Sequence, residues 1–559
     1  MRRLPCLLVL VVGLNMCLDL NALQPELARH GMVVTTEPIA TDIGVAVLKN
    51  GGNAIDAAVA VGFALAVTYP YAGNLGGGGF MLVRLADGRS TFIDFREKAP
   101  EKASHDMYLD ASGKPTRDSI EGWRSSGVPG TVSGFELAQR KYGKQKWGTV
   151  VEPAVNLASK GFVVSGTFAE SLKESRGLAQ DPESKRIFQR NGQFFDMGDR
   201  ITQPELARVL ERIAKNGAKG FYEGETAQKL TDEMAKHGGL ITMADLKNYA
   251  AAERQPITGK YRNYEIITSP PPSSGGVGVL QILGMLEGTG YEKTGWGSAA
   301  TIHYEAEAMR RFYADRSQYM GDPDFFKVPV AGLLDPAYIA KRRATIDPNR
   351  ATPSGELGPG HPAGSESSET THYDVVDAEG NAVSVTYTLN GGFGNGITVP
   401  GLGFLLNNEM DDFAVKPGVP NMFKLIQGEA NAIQPGKRPV SSMTPTIALR
   451  DGKLFMVLGS PGGSHIITAV TQVFLNVVDF GMNAQDAVDA PRIHHQWLPD
   501  KLNLEQGYSP DTAALLKAQG YDVDYERSLV SACVQAIVVS DGWLQGGADG
   551  RRGSKAAGY

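Results

Sequence analysis

Residues 345–390 read TIDPNRATPSGELGPGHPAGSESSETTHYDVVDAEGNAVSVTYTLN, and the reading of the chain turns on a change of character inside that stretch. Up to Glu369 it is rich in Pro, Gly and Ser and has no apolar period, the composition of a flexible surface linker. From Thr371 to Asn390 apolar and polar residues alternate on both sides of the turn Ala378-Glu379-Gly380-Asn381, which predicts a β-hairpin. A linker that ends against a strand beginning Thr370-Thr371-His372-Tyr373 has a chemical meaning. A threonine hydroxyl is a weak nucleophile that needs an adjacent base, and an N-terminal threonine carries that base as its own α-amine. Such an amine titrates near pH ~7.7–8.0, close to neutral working conditions. In a continuous chain the same nitrogen is a non-basic amide, so cleavage between Glu369 and Thr370 would create the catalyst. The plainer alternative is a loop followed by an edge hairpin with exposed threonines, and pattern alone leaves both readings open.

Upstream, residues 41–67 carry helical apolar spacing broken at Gly51-Gly52, with Asn53 placed to cap a second helix that is apolar nearly all round and therefore buried. The segment GNLGGGGF, 73–80, leads into two strands joined through Asp87-Gly88 as a hairpin. Residues 107–341 are mostly helical in pattern, interrupted by the loop SPPPSSGG at 269–276. Downstream of the first hairpin lie strands in PTIALRDGKLFMVLGS, a helix in HIITAVTQVFLNVVDFG, and a closing helix and strand in DTAALLKAQG and CVQAIVVSDG. Blocks of helices and strands in this order predict a layered α+β architecture.

At 559 residues the chain is long enough for two to four domain-sized units or one large composite domain. A net charge of -6 with no basic block argues against nucleic acid as a partner. The N-terminus reads as an export signal over 1–22: Arg2 and Arg3, the apolar run LLVLVVGL at 7–14, and a small residue, Ala22, at the cut. That run is too short to span a bilayer, so the expectation is an exported protein, periplasmic or extracellular, with no membrane segment in its mature form. Cys6 and Cys17 fall inside the signal, and Cys533, in SACVQAIVV, is read as a small core residue.

Seven motifs stand in one order along the chain: GNLGGGGF, DFREKAP at 94–100, TTHY at 370–373, TYTLN at 386–390, NNEMDDF at 407–413, RPVSSMTPT at 438–446 and GSPGGS at 459–464. In order and spacing they resemble the γ-glutamyltranspeptidases of bacterial type, as does the ending GGADGRRGSKAAGY. The resemblance covers essentially the whole mature chain. It implies an N-terminal-nucleophile (Ntn) hydrolase fold, an αββα four-layer sandwich. It also implies a precursor that cuts itself between Glu369 and Thr370 into a large subunit, 23–369, and a small one, 370–559, which together form one composite domain. The implied activity is γ-glutamyl transfer and glutathione hydrolysis: the γ-glutamyl amide of glutathione or glutamine is cleaved and the acyl group passes to water, an amino acid or a short peptide. No metal and no organic cofactor is expected.

The same resemblance implies roles for single residues. Thr370 is the nucleophile, and the Thr388 hydroxyl orients its amine. Gly462 and Gly463 present backbone N–H groups to the oxyanion, where two glycines allow close approach. A γ-glutamyl donor bears an ammonium and a carboxylate on its α-carbon. Asn390, Glu409 and Asp412 match the ammonium side. Arg96, Ser441 and Ser442 match the carboxylate side, with Arg96 able to form a bidentate pair. In an anonymous protein Arg96 would instead be a surface salt bridge to Asp94 or Glu97. Between NNEMDDF and RPVSS, Pro417 to Lys437 stands where bacterial members carry a lid, with Phe423 at the position of a gating tyrosine. GNLGGGGF lacks the Gly-Lys-Ser/Thr end of a phosphate loop, and His494-His495 lacks zinc-ligand spacing. His372 is read as structural, pointing away from Thr371 by alternation. The alternatives are an acylase of the same fold acting on another acyl group, such as a glutaryl β-lactam or poly-γ-glutamate, and an exported non-catalytic binding protein.

Overall fold

The hairpin that the alternating pattern predicts forms from Thr371–Val376 and Ala382–Thr388, paired antiparallel with Thr371 opposite Tyr387. The computed structural model describes residues 24–360, 371–526 and 532–559, so the expected signal, 1–22, and the pair Glu369 and Thr370 lie outside the described residues. The hairpin sits in the middle of a seven-stranded antiparallel sheet in the order Lys555–Gly558, Met32–Thr35, Thr371–Val376, Ala382–Thr388, Gly78–Arg84, Ser90–Asp94, Ala252–Arg254. A second seven-stranded antiparallel sheet runs Glu26–Ala28, Trp543–Ala548, Gln535–Ser540, Lys453–Gly459, Thr446–Arg450, Tyr264–Thr268, Ile257–Tyr261.

Strand alternation sorts side chains into layers. Phe80 and Leu82 meet Ile447, Val457 and Ile537 between the sheets, while Met81 and Val83 face the first helical layer. That layer is built around Ala54–Thr68, whose residues are all buried and whose Asn53 and Asp56 close a capping box. Tyr373 and Tyr387 pin the hairpin to it, donating to the carbonyls of Ala58 and Gly62 at 2.8 Å each. On the far side, Gly275–Leu286, Ala299–Tyr319 and His465–Val478 cover Met456, Leu458 and Ala536 of the second sheet. The result is the expected α+β, four-layer αββα sandwich.

The stretch 107–341 is mostly helical, as its pattern predicts, but it also supplies short strands: Ala252–Arg254 ends one sheet, and Ile257–Tyr261 with Tyr264–Thr268 ends the other. The crossing between sheets takes just Gln255 and Pro256, and edge strands this short show no long alternation. The linker is also not free over its first part. Ala351 N–H donates to the Gln519 carbonyl at 2.8 Å, Ser354 N–H to Asp500 at 2.7 Å and Gly360 N–H to Asp315 at 2.8 Å. Pro-, Gly- and Ser-rich composition reports the lack of a regular element, not the lack of partners.

Candidate active site

Thr388 ends its strand against GNLGGGGF. The Asn74 amide donates to the Thr388 carbonyl at 2.7 Å, and a Cβ on Gly77 would stand 1.9 Å from that same oxygen. The glycine run therefore serves close backbone approach beside Thr388. The Thr388 hydroxyl accepts from Asn390 N–H at 2.7 Å. Asn390 is left-handed, with φ 71°, and its amide donates to the Asn408 carbonyl at 3.0 Å, while its side-chain oxygen has no hydrogen-bond partner.

Gly462 and Gly463 lie between Lys453–Gly459 and the helix His465–Val478, with φ 132° and 62°, conformations that L side chains rarely adopt. Gly462 and Asn390 line one cavity of about 410 Å³, together with Phe423, Gln496 and Arg552. A larger groove of about 970 Å³ shares Tyr71, Gly391, Gly392 and Met422 with it.

Arg96 follows the strand Ser90–Asp94 and is fully buried, so the surface salt bridge is excluded. Its backbone N–H donates to Asp94 at 3.0 Å. Its guanidinium bonds Glu409 and Asp412, approaches Glu97 at 3.5 Å, and donates to the Pro439 and Val440 carbonyls at 3.1 Å each. The expected division, cation on one side and Glu409 with Asp412 on the other, is thus closed up into direct ion pairs. Ser441 and Ser442 adjoin it: the Ser441 hydroxyl accepts from Met443 N–H at 3.1 Å, and the Ser442 hydroxyl accepts from Arg316 at 3.0 Å.

One guanidinium faces three carboxylates here. Burial pushes Glu409 up to about 8 and Glu97 up to about 7, although Arg96 pulls both down. Burial also lifts Asp412 well above the ordinary carboxylate range. For Arg96 burial acts downward, but Glu409, Asp412 and Glu97 outweigh it and hold the guanidinium above its ordinary value. All four groups move toward the protonated form, as expected where negative charge exceeds positive in a dry site.

Two motif residues to which the sequence assigns no site role hold this site together. Asp94 also meets Arg254 at 2.7 Å and Arg438 at 3.3 Å, which tethers the Arg96 backbone to RPVSS. Asn407 accepts from Glu409 N–H at 3.0 Å and donates to the Gly76 carbonyl at 2.7 Å. Repetition in NNEMDDF hints at such turn-holding side chains but does not single out Asn407.

His372 points between the sheets, its Nδ1 3.0 Å from the Thr386 hydroxyl and its Nε2 3.0 Å from Asp374, though the latter contact lacks hydrogen-bond alignment. Burial raises Asp374 and His372 opposes this. His494 bonds Thr468 at 3.0 Å and Gln496 at 2.9 Å, and His495 lies 3.3 Å from Asp500. Burial holds both imidazoles below their ordinary value, His495 at about 4. Cys533 is buried beside Ser554, and burial pushes its thiol up to about 12.

A family model described as gamma-glutamyltranspeptidase matches residues 40–559. The chain belongs to the γ-glutamyltranspeptidase family. Among this family's members it is 52% identical to a glutathione hydrolase proenzyme of Escherichia coli, over 95% of this chain and 92% of that one. It is 54% identical to a glutathione hydrolase proenzyme of Pseudomonas sp. (strain A14), over 89% and 87%. Its fold is that of the cephalosporin acylase from Bacillus halodurans, with a TM-score of 0.84, 28% identity and coverage of 95% and 96%. The chain thus shares its sandwich with that acylase at 28% identity and is 52% and 54% identical to these two glutathione hydrolase proenzymes.

Proposed function

We propose that the chain is a self-cleaving γ-glutamyltransferase and glutathione hydrolase. The observation that carries this reading is the buried nest of Arg96, Glu97, Glu409 and Asp412 beside Ser441 and Ser442. An α-amino-acid end brings one ammonium and one carboxylate, and here both kinds of partner are already desolvated and held by backbone. On binding, the donor carboxylate turns to Arg96, Ser441 and Ser442, and its ammonium to Asn390, Glu409 and Asp412. A glutaryl group has no ammonium and would leave the acidic excess uncompensated, which disfavours the acylase alternative.

Thr371 stands opposite Tyr387 in the hairpin, and Thr388 ends the second strand. The Thr370 hydroxyl attacks the γ-carbonyl, and its own amine takes the proton and returns it to the leaving amine. Gly462 and Gly463 N–H groups stabilise the oxyanion. The γ-glutamyl ester then passes to water or to an amino acid or short peptide. Residues 417–437 act as the lid and keep water from the ester.

A cut between Glu369 and Thr370 would leave 23–369 and 370–559 interleaved, because each sheet contains strands from both sides of the cut. The two subunits would stay together as one composite domain, exported by the signal at 1–22. Among the described residues no helix is long and apolar enough to cross a membrane. The test is intact mass with N-terminal sequencing after incubation at neutral pH, followed by glutathione hydrolysis. Two chains, one beginning Thr-Thr-His-Tyr, are expected, and Thr370→Ala should stay whole and inactive. A cleaved Thr370→Ala protein would overturn self-cleavage by Thr370.

A further inference from the structure

The geometry points to Gln496 as a positioning residue that fastens the lid to the loop carrying Gly462 and Gly463. Its amide spans two parts of the molecule, the segment 417–437 and the loop that follows Gly463. The Nε2 group donates to the Phe423 carbonyl, in the lid, at 3.3 Å, and to the Leu498 carbonyl at 3.3 Å. The Oε1 atom accepts from the Ser464 hydroxyl at 2.7 Å and lies 2.9 Å from His494 Nε2. Ser464 is the residue after Gly463 and immediately precedes the helix His465–Val478.

The Ser464 end is rigid. Tyr313 donates its hydroxyl to the Ser464 carbonyl, and the His465 ring packs on His494 at 4.0 Å and lies 3.3 Å from the Gly462 carbonyl. The Phe423 end belongs to a segment with few other polar ties to this wall. Its neighbour Met422 donates its N–H to Asp411 at 3.0 Å. Phenylalanine has no side-chain hydroxyl, so the backbone carbonyl is the group through which residue 423 can accept a bond here. Gln496 lines the same cavity as Gly462 and Phe423. Lid closure thus completes a bond whose other end sets the loop next to the reacting centre, and opening leaves Nε2 with Leu498 alone.

This inference rests on the reading of 417–437 as a lid, and the test separates the two. Gln496→Glu keeps the shape and the acceptor for Ser464 but cannot donate to Phe423. A neutral hydrogen bond of this kind corresponds to about five-fold in an equilibrium constant. In the processed protein, cleavage of the 417–437 segment by added protease should therefore accelerate about five-fold. The KM for γ-glutamyl-p-nitroanilide should rise by a similar factor with a smaller change in kcat. Ser464→Ala should do the reverse, lowering kcat without altering the cleavage rate of the lid. Gln496→Asn, too short to reach Phe423, supplies the same readout if the glutamate variant does not accumulate. Wild-type protease sensitivity in the Gln496 variants overturns the latch, whatever their activity. Proteolysis needs no turnover, so the latch can fail while the proposed activity stands, and the reverse.

Discussion

The molecule contains two buried clusters of arginine and carboxylate, and they are built to opposite ends. Around Glu307 there are two cations, Arg310 and Arg311, and both carboxylate oxygens are taken up. Oε1 accepts from Arg310 at 3.0 Å, Thr352 N–H at 3.2 Å and Tyr521 at 3.2 Å, and Oε2 accepts from Arg311 at 2.5 Å and Thr352 at 2.6 Å. Around Arg96 there is one cation for three carboxylates, and Glu97 Oε1 and Glu409 Oε2 have no hydrogen-bond partner. Burial pushes both Glu307 and Glu409 upward. Arg310 and Arg311 reverse this for Glu307, which ends below its ordinary value, whereas Glu409 ends at about 8. Equal burial therefore says little about purpose. A saturated cluster holds chain in place, here the segment that runs toward Thr370, and an unsaturated one leaves room for charges that a ligand brings.

The comparison breaks most visibly at the arginines. Arg96→Ala should lower kcat/KM for a γ-glutamyl donor by about 10²–10³-fold. Arg311→Ala removes a cation just as buried, yet its effect should fall on stability, about 3–5 kcal/mol, with the KM of the surviving processed protein little changed. Parallel kinetics and thermal melts check this, and a donor KM that rises equally in both would erase the distinction.

The glutamates sharpen it through pH. Folding lifts Glu409 from its ordinary 4.5 to about 8, so the folded protein keeps a proton that the unfolded chain releases. Its contribution to stability is fully present below pH 4.5 and falls as pH rises toward 8. Glu409→Gln removes that titration, so its melting temperature should gain on the parent progressively from pH 4.5 to 8. Glu307 is depressed, so its contribution is present above 4.5 and lost as pH falls through its folded value. Glu307→Gln should be destabilised at pH 7, and the gap should close in acid. Melting curves at pH 4, 6 and 8 test both signs.

The smallest expected effects are at hydroxyls. Thr352→Val takes one donor from Glu307 and should cost about 1–2 kcal/mol of stability with turnover intact. Thr388→Val should cost a similar amount in stability, through the lost bond from Asn390 N–H, but should also reduce turnover. Equal turnover in the two variants would remove Thr388 from the proposed machinery.

Much of the fold was legible because its signals are local. Alternation in 371–390 foretold the hairpin, Asn53 foretold the helix start, and Asp87-Gly88 the turn between Gly78–Arg84 and Ser90–Asp94. The strands at 252–268 were not legible, since three- to five-residue edge strands around Pro256 lack a sustained period. Nor was the anchoring of 351–360, because its partners, Asp315, Asp500 and Gln519, lie far away in the chain. In the candidate site the motifs named Arg96, Glu409 and Asp412, but Glu97, Asn407 and Gln496 act through contacts that no spacing encodes.

The amino-acid sequence by itself determined the layered α+β class, the family, and the residue types offered to a γ-glutamyl donor, because period, turn chemistry and ordered motifs are read along the chain. Only the tertiary structure decided that Arg96 meets Glu409 and Asp412 directly, that Glu307 is satisfied where Glu409 is not, and that Gln496 reaches Phe423. The physical reason is that charge balance and desolvation are properties of a volume. Residues separated by hundreds of positions set them together, and no local pattern counts the cations and carboxylates that folding will enclose.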